Sequence, residues 1–192
     1  MGLIRNILAL IGLLCVALAG WGYSKYGNNL GGFDSEAGRV YWEMAEQVLQ
    51  TKNAAEATIW KVPVDEGLSP EEVEETMKFV ANEHNMSNVG ELPLSKDIEA
   101  KSGADYRYVK IFLFCNSLTA SRMLDYSDAY AAYLPCRITM IEDMEGKLWL
   151  IALNMDLMIH GGEELPPALK AEALGVKKQI LDIMHRGAKG EF

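Results

Sequence analysis

The chain has 192 residues, 49% of them hydrophobic, and a formal net charge of −9. That is one domain of ordinary size plus an appendage, with enough apolar content to bury a core and too much for disorder. The acid excess excludes nucleic acid and anionic lipid surfaces as natural partners, and three cysteines are too few for a disulfide scaffold.

The charge is unevenly placed. Residues 1–28 hold Arg5 and Lys25 and no acid, so all 27 acids fall in the remainder. Within that segment "ILALIGLLCVALAGWGY", Ile7 to Tyr23, is uncharged. As a helix it extends roughly 25 Å, near the lower limit for crossing the hydrocarbon of a bilayer. Trp21, Tyr23 and Tyr26 cluster at one end, as interfacial rings do. Ala17–Ala19 would serve as a signal-peptide cleavage site. The segment is read as a retained single-pass anchor, residues 1–26. Arg5 and the free amine lie before the span, and Lys25, Asp34 and Glu36 follow it. The positive-inside rule then places the N-terminus in the cytoplasm and the body in the periplasm of an inner membrane.

Residues 27–55 are read as a linker and an amphipathic helix. "GNNLGG", Gly27–Gly32, is a hinge by composition. Asp34 or Ser35 caps a helix reaching Thr51, with Val40, Tyr41, Met44, Ala45 and Val48 at helical spacing. Residues 56–192 form the main domain. A strand is expected over Glu56–Val64. A helix follows, in which Ser69, Pro70 and Glu72 supply cap, first-turn proline and capping box. "MSNVGELPL" is a short extended segment and Ser95–Gly103 a helical turn. Tyr106–Phe114 is a central strand, and "SLTASRMLDYSDAYAAYL" a helix ending at Pro135. Cys136–Asp143 and Lys147–Asn154 form a hairpin around "MEGK". "MDLMIHGG" is a short helix or turn, and a long helix with basic residues toward its end closes the chain. This order predicts an α+β domain, a mainly antiparallel sheet covered by helices.

Cys115 ends one strand and Cys136 opens another. If those strands are antiparallel, both thiols lie at one end of the sheet and a bridge is feasible; if parallel, they lie at opposite ends. Core packing, a disulfide and a reactive pair all remain open; Arg137 is the only local feature that would lower a thiol pKa. Asn116 serves equally as the cap of the following helix. Met155, Met158 and His160 are soft ligands that would suit copper if they converged, with gap filling as the ordinary use of such methionines. The three histidines are scattered and show no zinc spacing, so no cofactor is expected. The carboxylate runs read as solvated surfaces, not acid–base pairs.

The stretches "SPEEVEETMKFVANEH", "YRYVKIFLFCNSLTASRML", "YAAYLPCRITMIEDMEGKLWLIALNMD" and "VKKQILDIM" together resemble the domain-of-unknown-function-302 family. The likeness lies in a strand ending Cys115-Asn116 and in Leu134-Pro135-Cys136 starting the next strand, and it extends over about Ile59 to Met184. Where members often carry Pro and Asn, this chain has Ser117 and Arg137. The resemblance implies a small fold of the TATA-binding-protein-like class, often dimeric, with no established activity and some association with bacterial sulfur metabolism. The expected function is that of a membrane-anchored, non-enzymatic accessory or binding module, docked on a membrane-protein partner or self-associated. The alternative is a periplasmic thiol or sulfur-handling protein acting through Cys115 and Cys136, with Asn116 and Arg137 as further ligand-binding candidates.

Overall fold

The computed structural model describes residues 2–192. Helix α1 spans Gly2–Leu30, and over residues 2–29 all but the half-buried Gly22 and Gly27 are exposed. An 18-residue stretch within Gly2–Asn29 has a mean hydropathy of 2.2, which makes the helix long and apolar enough to cross a membrane, a property that a signal sequence shares. The helix does not stop at the expected hinge. It runs on through Gly27–Leu30, because continuing the helix satisfies backbone groups that a loop would leave to solvent. The turn shrinks to Gly31 and Gly32. Lys25 Nζ lies 5.1 Å from the Trp21 ring and 5.3 Å from the Tyr26 ring, tying the aromatic girdle to a cation.

The linker is fastened to the body. Phe33 bridges Glu163 in antiparallel fashion. The Asp34 N–H donates to the Gly162 carbonyl at 2.9 Å, and the Glu164 N–H to that of Gly32 at 3.2 Å. Asp34 is not a conventional helix cap: its Oδ1 accepts from the Glu36 N–H at 2.9 Å. Its Oδ2 lies 2.6 Å from Lys170 Nζ and 3.2 Å from His160 Nδ1. Burial works to raise the Asp34 carboxyl, but hydrogen bonds from Lys170, the Glu36 backbone and His160 overcome it and hold the group at about 2. Helix α2, Ala37–Thr51, buries Ala37 and Val40 against the body, and Tyr41 Oη donates to the Gly161 carbonyl at 2.6 Å.

The body is an α+β domain with five antiparallel strands. These are β1 (Ile59–Pro63), β2 (Ser87–Leu92), β3 (Val109–Cys115), β4 (Cys136–Glu142) and β5 (Leu148–Leu153), in spatial order β1-β5-β4-β3-β2. Residues 56–58, expected as strand, form a single 3₁₀ turn before β1. Helix α3, Pro70–Glu83, starts as its sequence dictates. Ser69 Oγ accepts from the Glu72 N–H at 3.3 Å, and Glu72 Oε2 accepts from the Ser69 N–H at 2.8 Å. Helix α4, Leu94–Ser102, links β2 to β3, and helix α5, Ser117–Tyr126, follows β3. Short helix α6, Asp156–His160, precedes the long α7, Pro167–Lys189.

Period-two alternation sorts the sheet into two faces. Phe112, Phe114, Ile138, Met140, Leu150 and Ala152 point to the helices, where α3 and α7 contribute Val73, Met77, Val80, Ile180, Ile183 and Met184. Ile111, Leu113, Thr139, Ile141, Trp149 and Ile151 occupy the other face and are half-buried. Helices α3 and α7 meet at Gly187. A Cβ there would lie 2.5 Å from Met77 Cγ, so only glycine permits this approach.

Candidate functional site

The site begins where the ladder between β4 and β5 stops. β3 and β4 stay paired as far as Phe114↔Cys136, whereas β4 and β5 stop at Ile138↔Ala152. On its other edge β5 pairs with β1 over residues 149–153; its last residue, Leu153, pairs with Ile59 of β1 alone, and the Asn154 N–H donates to the Thr58 carbonyl at 2.8 Å. The first two residues of β4, Cys136 and Arg137, therefore have no ladder partner on their β5 side, and the sheet is notched there.

Behind the notch lies a cavity of about 250 Å³. Its sheet wall is Phe114, Cys136 and Ala152, and its helix wall is Met123 of α5 with Ala173, Val176 and Ile180 of α7. Met155, Met158, Tyr130 and Tyr133 close the remaining side, and Arg137, Thr139, Ile151 and Leu153 form the rim. The space exists because Ala152 and Ala173 are small where sheet and helix face each other, and no longer side chain reaches in from either layer.

The tyrosines arrive by a break that the sequence pattern hides. The helix expected over Ser117–Leu134 ends at Tyr126. Ser127 adopts an extended conformation (φ −162°, ψ 128°), and a 3₁₀ stretch, Asp128–Tyr133, takes over. The Ser127 hydroxyl accepts from the Ala129 N–H at 3.4 Å, an exchange of helical bonds for a local cap. Tyr126, Tyr130 and Tyr133 then lie in a row with ring centroids 6.1 and 6.5 Å apart. Tyr130 Oη donates to the Met158 carbonyl at 3.4 Å.

The cysteines lie at one end of the sheet, on antiparallel strands, and both are free thiols. The register staggers them. Cys136 stands opposite Phe114 and shares its core-facing side; Cys115 is one residue further along and turns to the other side, opposite Ser87 of β2. Burial pushes the Cys136 thiol up to about 11, with the nearby Cys115 adding to the shift. At neutral pH Cys136 is thus a protonated, apolar part of the wall.

The other candidates separate into groups. Asn116 caps α5, its Oδ1 accepting from the Thr119 N–H at 3.2 Å, and both residues border the cavity. Arg137 is exposed at the rim. Met155 and Met158 reach the cavity, but His160 packs against Asp34 beside Lys170, on the far side of α6. At about 100° per residue, positions 155 and 158 share a helix face and 160 does not. His84 holds Asp182 at 2.7 Å on the α3–α7 surface, away from the cavity. Sequence reasoning missed Met123, Tyr130, Tyr133 and the two alanines. The spacing of Tyr126, Tyr130 and Tyr133 was the one visible signal for them, and it reads equally as a helix face.

The sequence model of a family described as "Domain of unknown function DUF302" matches residues 60–187. The chain is also similar to a solved structure, that of an uncharacterized conserved protein DUF302 from Bacillus stearothermophilus. Identity is 19%, the TM-score is 0.55, and the alignment covers 67% of this chain and 97% of the other. At that identity the likeness speaks for the fold alone. No curated protein matches.

Proposed function

Starting from the fact that the chain belongs to the DUF302 family, we propose that it is a membrane-tethered, non-catalytic binding module whose cavity takes a small apolar molecule. The observation that carries this reading is the cavity itself. It is walled by aliphatic, methionine and tyrosine side chains and by a thiol that stays protonated at neutral pH. Walls of that kind bind by burying apolar surface, at about 25 cal/mol per Å² removed from water. The tether is α1. On the flanking charges, the body stands on the periplasmic side of an inner membrane.

The test is calorimetric titration of octanol into the full chain held in phosphatidylcholine nanodiscs, with empty discs subtracted. Saturable binding is expected, and Ala173→Leu, which fills the hollow, should weaken it at least tenfold. Octanol that binds no better to the protein discs than to the empty ones would refute the reading. Alkaline extraction of membranes should leave the chain in the pellet, and protease added outside spheroplasts should remove the body.

Assembly belongs to the same proposal. The face turned away from α3 and α7 carries Ile111, Leu113, Ile141 and Trp149, half-buried. A second copy or a membrane-protein partner would cover them. Sizing in mild detergent should give a species larger than the monomer; a monomer at every concentration would count against it.

A thiol or sulfur-handling role is the second reading, and the presence of Cys115 and Cys136 at one end of the sheet, both bordering the cavity, favours it. It requires Cys136 to react. On the binding reading, alkylation of Cys136 at pH 7 is about a hundredfold slower than that of free cysteine, because so little thiolate is present. A rate equal to free cysteine would favour the sulfur reading instead.

A further inference from the structure

The cavity is one-sided in charge. The chain carries 27 acids, yet among the described residues that line the cavity there is no Asp or Glu and Arg137 is the one ionised group. The other arginines of the body are occupied. Arg39, Arg122 and Arg186 each hold a carboxylate within 2.9 Å, and Arg107 donates to the Glu142 carbonyl at 3.0 Å. Arg137 forms no ion pair among the described residues. It lies on the strand segment that β5 does not reach, with Leu113 of β3 as its ladder partner on the other side, and it borders the opening. An unpaired guanidinium at the mouth of a mostly apolar, carboxylate-free hollow, in a protein otherwise rich in acid, is a complementary surface for a single negative charge.

We infer that the ligand is a small amphiphile with a carboxylate head, its apolar body in the cavity and its head on Arg137. This rests on the apolar-binding reading above and adds the charge. The planar guanidinium fork matches a carboxylate in two parallel hydrogen bonds. One cation fits a monoanion; a phosphate dianion would call for further donors. The hollow holds about eight water volumes at about 30 Å³ each, which suits a medium-length acyl chain or a single substituted ring.

The experiment compares octanoate, octanol and octylamine, titrated separately at pH 8 into the full chain in phosphatidylcholine nanodiscs, with empty discs subtracted. Octanoate should bind at least tenfold more tightly than octanol, the scale of one charge-assisted hydrogen-bonded pair, and octylamine more weakly than either. Arg137→Gln, at an exposed position, should bring octanoate to the octanol level; Arg137→Lys should restore part of the difference. High salt should narrow the gap between octanoate and octanol. Equal affinities in the unmodified chain, or an octanoate affinity indifferent to Arg137→Gln, would overturn the inference while leaving apolar binding intact. Failure of all three probes to bind would overturn both.

Discussion

Within about four turns of α7 the packing changes character. At Gly187 the helix closes onto α3 until Met77 fills the space a side chain would need, with Leu150 3.5 Å from the same point. At Ala173, toward the other end, the helix faces Cys136 and Ala152 across open volume. Both positions carry small residues, with opposite results. At Gly187 the missing side chain lets two helices approach; at Ala173 neighbouring elements hold the layers apart, so the missing atoms become space. A small residue thus predicts neither contact nor cavity by itself; the spacing of the layers around it decides.

The contrast is open to mutation. Leu150→Ala, in the filled end, should lower the unfolding free energy of the body by about 2–5 kcal/mol. Ala173→Leu, in the hollow end, should stay within about 1 kcal/mol of the unmodified chain or stabilise it. Urea unfolding followed by tryptophan fluorescence distinguishes them, and equal losses would abolish the contrast. Next in size, Gly187→Val should cost about 1–3 kcal/mol by forcing Met77 aside. Cys136→Ala should cost less than about 1.5 kcal/mol, because a side chain that borders the cavity has fewer packed neighbours to lose than one inside the filled layer.

A smaller effect concerns the linker. The Asp34 carboxyl is held at about 2, below its ordinary 3.8, so its contribution is fully present above pH 4 and is lost as the pH falls through the folded value. Acid-protease cleavage at Gly31–Gly32 should therefore appear between pH 4 and pH 2. Asp34→Asn should expose the same site at neutral pH, assayed there with a neutral protease of broad specificity. Cleavage of the unmodified chain that does not change with pH would show that the ion pair with Lys170 does not fasten the linker.

What the sequence made legible was local. Ser69, Pro70 and Glu72 specify the start of α3 within four residues, and the α+β antiparallel architecture follows from strand and helix patterns of the same short range. The resemblance carried by Cys115-Asn116 and Leu134-Pro135-Cys136 led to the family. The site was hardly legible, because it depends on where the β4–β5 ladder stops while β5 still runs beside β1 and β4 beside β3, pairings decided between residues far apart in the chain. The break at Ser127 was hidden for a different reason: the residues on both sides keep helical spacing, and one hydroxyl bond settles the matter locally. Composition also misled at Gly27–Leu30, where Gly and Asn suggest a hinge but the helix continues. Met155, Met158 and His160 are neighbours in sequence, yet the geometry of a five-residue helix sends the histidine to Asp34.

The most direct test of the hollow end uses the methionines that mark both regions. Met123, Met155 and Met158 border the cavity, while Met77, Met140 and Met184 lie in the filled layer. With methyl-labelled methionine in the full chain, titration of octanol should shift the first three resonances and leave the other three in place. Shifts spread equally over all six, or absent from Met123, Met155 and Met158, would contradict the account.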